Sequence, residues 1–149
     1  MKSLHLKEER SGPLDTVRVL DISRLLAGNF MSHQLAEFGA DVIKVEDPKI
    51  GDPLRQWSYS DIEVMWKVYA RNKRSLAMDL RTDEGRDLLV PLIEKSDIFI
   101  ENYKPGGLEK IGFDPERLRQ INPNLIIVRI SGWGQDGPYR HKPGFGTLV

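Results

Sequence analysis

Five short apolar runs, separated by longer stretches with apolar residues at helical spacing, set the terms on which this chain can fold. The runs are VRVLDI (Val17–Ile22), DVIKVE (Asp41–Glu46), Ser75–Leu80, DIFIE (Asp97–Glu101) and LIIVRI (Leu125–Ile130). Short, nearly continuous apolar runs rich in Val and Ile suit strands buried on both faces. Between the first two, Leu25, Phe30, Leu35 and Phe38 fall at roughly helical spacing, and Gly39 occupies the place of a C-terminal cap glycine. Residues Asp61–Ala70 read as a short helix carrying Met65, Trp66 and Tyr69. Thr82 caps a helix that runs to about Lys95, with Asp83 and Glu84 at its positive end. Leu88, Leu89, Leu92 and Ile93 form the expected buried face of that helix, and Pro91 interrupts its regularity. Asp114-Pro115 starts a further helix that ends before Pro123. The order β-α-β, a connection broken by Pro48, Gly51 and Pro53, then β-α-β-α-β predicts an α/β parallel sheet with helices on both faces. The stretch SGWGQDGPYRHKPGFG after the last run reads as loop.

Several function classes fall away. The 22 Lys+Arg and 22 Asp+Glu cancel, removing the broad attraction expected of a nucleic-acid binder. The absence of cysteine excludes a disulfide framework, a thiolate metal site and a cysteine nucleophile. No apolar run approaches the ~20 residues of a membrane span. The opening MKSLHLKEERSGP mixes charges and has no apolar core, so residues 1–12 read as a flexible lead-in rather than a secretory signal. A cytoplasmic protein fits these features. His5, His33 and His141 lie too far apart for the usual ligand spacings, so no metal is expected. The GxGxxG, GxxxxGK[ST] and GxSxG signatures are absent. Apolar residues resume at Gly146-Thr147-Leu148-Val149, where a domain normally ends in polar linker, so the chain is expected to be the front part of a longer protein.

In an open parallel sheet, ligands collect outside the carboxyl ends of the strands. The residues there are Ser23 to Gly28, Glu46-Asp47, Arg81, Glu101-Asn102-Tyr103-Lys104 and Ser131-Gly132-Trp133-Gly134. This mixture of cations, amides, glycines and aromatics suits an anionic ligand with a flat ring. Each residue also has a plainer reading. Met78 and Leu80 fit the core, with any ligand contact made by backbone. Arg81 fits a solvated strand end, Lys104 and Lys110 fit surface lysines, and Asn102 and Gly106-Gly107 fit turns. Trp66 and Tyr69 fit packing. Asp21, Glu46 and Glu101 fit capping, solvation or ion pairing.

Seven segments occur in a fixed order: LDISRLLAGN, LAEFGADVIKVEDP, GDPLR, RNKRSLAMDL with Arg81, ENYKPGGLEKIGF, INPNLIIVRISGWGQDGPY and KPGFGTLV. Together they resemble the N-terminal part of the family III CoA-transferases, a superfamily that includes formyl-CoA and carnitine CoA-transferases and the α-methylacyl-CoA racemases. The resemblance runs from about residue 12 to the end. It implies that residues 13–149 are the N-terminal part of a Rossmann-like, CoA-binding large domain, incomplete here, from an interlocked homodimer. The implied ligand is coenzyme A, carried as acyl-CoA, with a small carboxylic acid as the other substrate. The implied CoA contacts are Leu26-Ala27, Met78-Asp79-Leu80-Arg81, Asn102-Tyr103-Lys104, Lys110 and Pro143-Gly144-Phe145-Gly146. Arg81, Lys104 and Lys110 supply charge for the CoA phosphates. Lys110 stands where some members carry arginine, keeping the charge without the bidentate fork. The family's aspartate nucleophile lies beyond the last motif, so no catalytic residue is assigned here and the 149-residue chain alone is expected to be inactive and to self-associate. The racemase branch is the alternative enzyme, and its histidine falls at the position of Phe145, which cannot move a proton. A non-catalytic CoA-binding fragment is the other alternative.

Overall fold

The computed structural model describes residues 11–146, and expectations placed on residues 1–10 and 147–149 lie outside them. Ser11 and Gly12 lead into a turn packed against the end of the first helix, where the Leu14 amide donates to Phe38 O at 3.0 Å. The elements are β1 (Arg18–Asp21), α1 (Leu25–Glu37), β2 (Asp41–Glu46), a 3-10 turn (Pro53–Gln56), α2 (Val64–Tyr69) and β3 (Lys73–Ala77). They continue with α3 (Asp83–Glu94), β4 (Ile98–Glu101), α4 (Gly107–Lys110), α5 (Pro115–Ile121) and β5 (Ile126–Arg129).

The five strands form one parallel sheet in the order β3-β2-β1-β4-β5. Val19 aligns with Val42 on one side and Ile98 on the other, which fixes β1 at the centre. Side chains alternate between two cores, as a strand's period of two requires. Leu20, Val45 and Phe99 pack with Leu89 and Ile93 of α3, Leu108 of α4 and Leu118 of α5. Val19, Val42 and Ile100 pack with Ala36 of α1 on the opposite face. The expected α/β parallel sheet with helices on both faces is therefore present.

The predicted caps hold. Thr82 Oγ1 accepts from the Gly85 amide at 3.1 Å, and Asp114 Oδ1 accepts from the Glu116 and Arg117 amides at 3.0 Å each. Gly39 takes φ +101°, the left-handed region that ends α1 at little steric cost.

Several details differ from the sequence expectation. Helix α1 does not bury Phe30 and Phe38, which are 50% and 56% exposed. It buries Gly28, Asn29, Ser32, His33 and Ala36 instead. Small and hydrogen-bonding residues face the sheet there because a polar cluster lies beneath them. Strand β3 begins at Lys73 rather than Ser75 and ends at Ala77 rather than Leu80. It is an edge strand, and an exposed charge such as Arg74 is at home on an edge. Leu88 is exposed on α3, whose buried residues are Gly85, Leu89 and Ile93. Pro91 lies on the exposed side, and α3 continues past it to Glu94. Helix α2 is shorter than expected, and Gly106-Gly107 does more than turn the chain, since Gly106 at φ +83° opens the single turn of α4.

Candidate functional site

The loops after β1, β2, β3 and β4 enclose a cleft of about 420 Å³. Its position follows from the topology. Strand order reverses on either side of β1, so the loops leaving β1 and β4 diverge to opposite faces of the sheet.

Of the residues expected to bind CoA, the cleft wall brings together Met78, Asp79, Leu80, Arg81, Tyr103 and Lys110. Met78 is 9% exposed, in keeping with its core reading. Its amide continues the β2 pairing by donating to Glu46 O at 2.9 Å, and the chain then turns outward at Asp79. Arg81 projects from that turn with its side chain 66% exposed. Its Nε donates to Asp79 Oδ1 at 2.7 Å, and its Nη2 donates to Asp47 Oδ2 at 2.8 Å. The Arg81 guanidinium and backbone amide hold the Asp79 carboxyl below its usual range. Asp47 is held low by the backbone amides of Lys49 and Ile50, with a contribution from Arg81. Burial pushes the Tyr103 hydroxyl up.

The other expected residues do not line this cleft. Leu26 is half-buried and Ala27 exposed on the first turn of α1, and Lys104 is exposed after β4. Pro143-Gly144-Phe145-Gly146 lies on the exposed loop after β5. Trp133 Nε1 donates to Pro143 O at 3.0 Å there, and a Cβ at position 144 would overlap the Gly132 backbone. The Asn102 side chain serves as a staple. Its Oδ1 accepts from the Arg24 amide at 2.8 Å, and its Nδ2 donates to Arg24 O at 2.7 Å. Asn102 thereby ties the β1–α1 loop to the loop after β4.

Beneath the cleft is a buried ionic cluster. Asp21 is fully buried, and its Oδ2 accepts from Ser32 Oγ at 2.5 Å while its Oδ1 accepts from Ser23 Oγ at 2.5 Å. Lys44 Nζ lies 3.3 Å from Asp21 Oδ1 and 3.3 Å from Asp52 Oδ2, and it also donates to Ser23 O. Lys73 Nζ donates to Asn29 O at 2.8 Å and lies 3.8 Å from Asp21 Oδ2. Burial pushes the Asp21 carboxyl up, but Lys44, Lys73 and the two serine hydroxyls outweigh it and hold the group below its usual range. Glu46 adjoins the cluster. Burial again opposes its ionisation, while Arg55 Nε at 2.7 Å, Arg55 Nη2 at 3.0 Å, Ser75 Oγ at 2.6 Å and the Asp52 amide at 2.9 Å hold it low. On the far side of β1, Glu101 Oε1 accepts from Arg129 Nε at 2.7 Å.

The ion-pairing reading of Asp21, Glu46 and Glu101 is thus the one the structure bears out. Sequence reasoning does not single out Asn29, Lys44, Asp52 or Lys73. The usable signal is Lys44, a charge in the middle of a strand buried on both faces, which demands a buried partner. Among the described residues, no group of three or more His, Asp or Glu could hold a metal ion, and no helix is long and apolar enough to cross a membrane.

Comparison with known proteins adds to this geometry. The family model for CoA-transferase family III matches residues 14–149. A succinyl-CoA–D-citramalate CoA-transferase of Chloroflexus aurantiacus is 50% identical over 139 residues, covering 91% of this chain and 35% of its own length. A succinate–glutarate CoA-transferase of Agrobacterium fabrum is 42% identical over 149 residues, covering 94% of this chain and 37% of its own length. Among solved structures, a CAIB/BAIF family protein from Brucella suis superposes with a TM-score of 0.86 at 42% identity, covering 93% of this chain and 38% of that one. Rv3272 from Mycobacterium tuberculosis superposes with a TM-score of 0.87 at 36% identity, covering 94% and 39%. The chain spans about a third of the length of the curated relatives it matches.

Proposed function

The chain belongs to CoA-transferase family III, and from that premise we propose that its cleft holds the coenzyme A portion of an acyl-CoA, in a protein that passes CoA to a carboxylic acid. The observation that carries this reading is the Met78-Asp79-Leu80-Arg81 turn, which sets an exposed guanidinium in the lining of the same cleft as Lys110. CoA carries a diphosphate and a 3′-phosphate, and Arg81 and Lys110 supply the matching charge. The Asp47 and Asp79 carboxylates aim the guanidinium in advance, reducing the ordering cost of binding. Lys104, Leu26-Ala27, Asn102 and the Pro143–Gly146 segment extend the CoA contacts beyond the cleft in this reading. The names of several relatives point to succinyl-CoA as the donor to test first, with a small dicarboxylic or hydroxy acid as acceptor.

The covalent route is the family's. An aspartate carboxylate attacks the thioester carbonyl, the C–S bond breaks, and CoA leaves as thiolate from a mixed anhydride. The thiolate then attacks the aspartyl carbonyl, releasing the donor acid and leaving an aspartyl-CoA thioester. The acceptor carboxylate attacks that thioester, and the thiolate, released once more, attacks the acceptor's acyl carbonyl to give the new acyl-CoA and regenerate the aspartate. The buried and cleft carboxylates of this chain do not take that part. Asp21, Glu46 and Asp52 are held in the buried cluster, Glu101 by Arg129, and Asp47 and Asp79 by Arg81. In this reading the nucleophile is the family's aspartate rather than any of these paired carboxylates, and the working protein is a cytoplasmic, interlocked homodimer.

Calorimetry with the full-length enzyme tests the site. Arg81→Ala is expected to weaken CoA binding by about five- to a hundred-fold, the range for losing charge-assisted hydrogen bonds. Equal affinity in the variant removes Arg81 from the site. The reaction class has its own test. Phe145 stands at the racemase histidine position, so full-length enzyme in deuterated water is expected to leave the α-hydrogen of a 2-methylacyl-CoA unexchanged. Rapid deuterium incorporation would replace the transferase reading with the racemase one.

A further inference from the structure

The β1–α1 junction has an unusual backbone. Leu25, the first residue of α1, sits at φ +61°, a conformation that non-glycine residues seldom adopt. The residue before the helix, Arg24, makes no side-chain cap. A carboxylate from a distant segment supplies the cap instead. Asp52 Oδ1 accepts from the Leu25 amide at 3.0 Å, across 27 residues of sequence. The same oxygen accepts from the Leu54 amide at 2.8 Å and so caps the 3-10 turn as well. Asp52 Oδ2 accepts from Asn29 Nδ2 at 2.9 Å, one turn further along α1, and faces Lys44 Nζ at 3.3 Å. Asn29 Nδ2 closes the loop by donating to Leu25 O at 2.5 Å. The Asp52 amide is itself fixed by Glu46 Oε2 at 2.9 Å. Both segments joined in this way meet at the cleft, since Ser23 and Arg24 line one part of its wall and Ile50, Gly51 and Asp52 another.

We propose that Asp52 is a positioning residue for the acyl-CoA site, locking the first turn of α1 and the 47–56 loop into one geometry around the cleft. The proposal rests on the CoA reading of that cleft. Asp52 is 2% exposed and its four partners come from α1, the 3-10 turn and β2, so a change in its carboxylate moves both walls together. Displacing a site's supporting groups by even an ångström degrades it, although the displaced residues never touch the ligand.

Asparagine is the informative replacement. It keeps the size of Asp52, yet one of its two polar ends must be an NH2. That end meets either the Leu25 and Leu54 amides or the Asn29 amide and Lys44, all of them donors. In full-length enzyme assayed with succinyl-CoA, Asp52→Asn is expected to raise the KM for acyl-CoA about tenfold and the CoA Kd in parallel, with kcat at saturation nearly unchanged. Asp41→Asn is the comparison. Asp41 pairs with Arg18 and Arg74 at the opposite end of β2, so its loss lowers thermal stability and leaves KM alone. A folded Asp52→Asn enzyme with wild-type KM and Kd, or an equal KM rise in Asp41→Asn, overturns the proposal.

Hydrogen exchange of the wild-type enzyme keeps the test independent of how the variant folds. CoA is expected to slow exchange in residues 24–30 and 47–56 together, as well as in 78–81. Protection of 78–81 without 24–30 and 47–56 refutes the positioning role and leaves the CoA site standing. Protection of none of the three refutes the CoA reading itself.

Discussion

Replacing Lys44 by methionine is expected to cost about 3–5 kcal/mol of folding stability, the penalty for stripping one partner from a buried charge set. Methionine fills nearly the same volume, so the loss reports charge rather than a cavity. The Lys44 side chain is 1% exposed, and its ammonium faces the carboxylates of Asp21 and Asp52, themselves 0% and 1% exposed. Without it, Asp52 keeps its hydrogen bonds but loses its nearest cation, and Asp21 keeps its serine hydrogen bonds with Lys73, at 3.8 Å, as its remaining ion-pair partner. Urea denaturation of wild type, Lys44→Met and Lys44→Met/Asp52→Asn measures the effect. The double variant is expected to recover part of the loss, because the second change removes the stranded charge. A single-variant loss below about 1 kcal/mol would mean that water or rearranged side chains solvate the carboxylates, and that the cluster is not the closed charge set described above.

The same cluster marks where the sequence stops being legible. The five strands and their succession along the chain could be read because each run is short, apolar and bounded by turn residues, and parallel pairing follows from the intervening helices, but the order of the strands across the sheet could not. The ends of α3 and α5 could be read because Thr82 and Asp114 act within three residues of themselves. Helix α1 was legible as a helix but not by its buried face. Phe30 and Phe38 look like core by spacing, whereas Asn29 and Ser32 face the sheet because Asp52 and Asp21 are waiting there. That pairing depends on the β1–β2 register and on the fold of the 47–56 loop, which no local pattern encodes. Arg81 and Lys110 were legible as candidates through the family motifs, and both line the one cleft. Asn102 was legible as a position, but its staple across the β1–α1 loop depends on the strand order. The carboxylates that hold Arg81 are also non-local in part, since Asp79 is two residues away and Asp47 is on another strand's loop.

Lys73 gives the cluster a signature in alkali. Burial lowers its ammonium from 10.5 to about 8, with Asp21 opposing the shift and Lys44 adding to it. Between these two values the unfolded chain carries a proton on Lys73 that the folded chain has shed. Unfolding in that window takes up a proton, so stability increases with pH. Below pH 8 both states are protonated and the burden of burying the charge is fully present. Above about pH 10.5 neither state is protonated, and the burden is gone. Methionine at this position has nothing to titrate. The stability difference between wild type and Lys73→Met is therefore expected to be flat below pH 8, then to shift in favour of wild type by about 3 kcal/mol from pH 8 to 10.5. Urea unfolding of both proteins at half-unit steps measures it, and groups that do not interact with Lys73, Tyr103 included, cancel in the difference. Parallel curves across the window would show that Lys73 stays charged when folded. In that case the 3.8 Å contact with Asp21 stays an ion pair through the window instead of giving way to a neutral amine donating to Asn29 O.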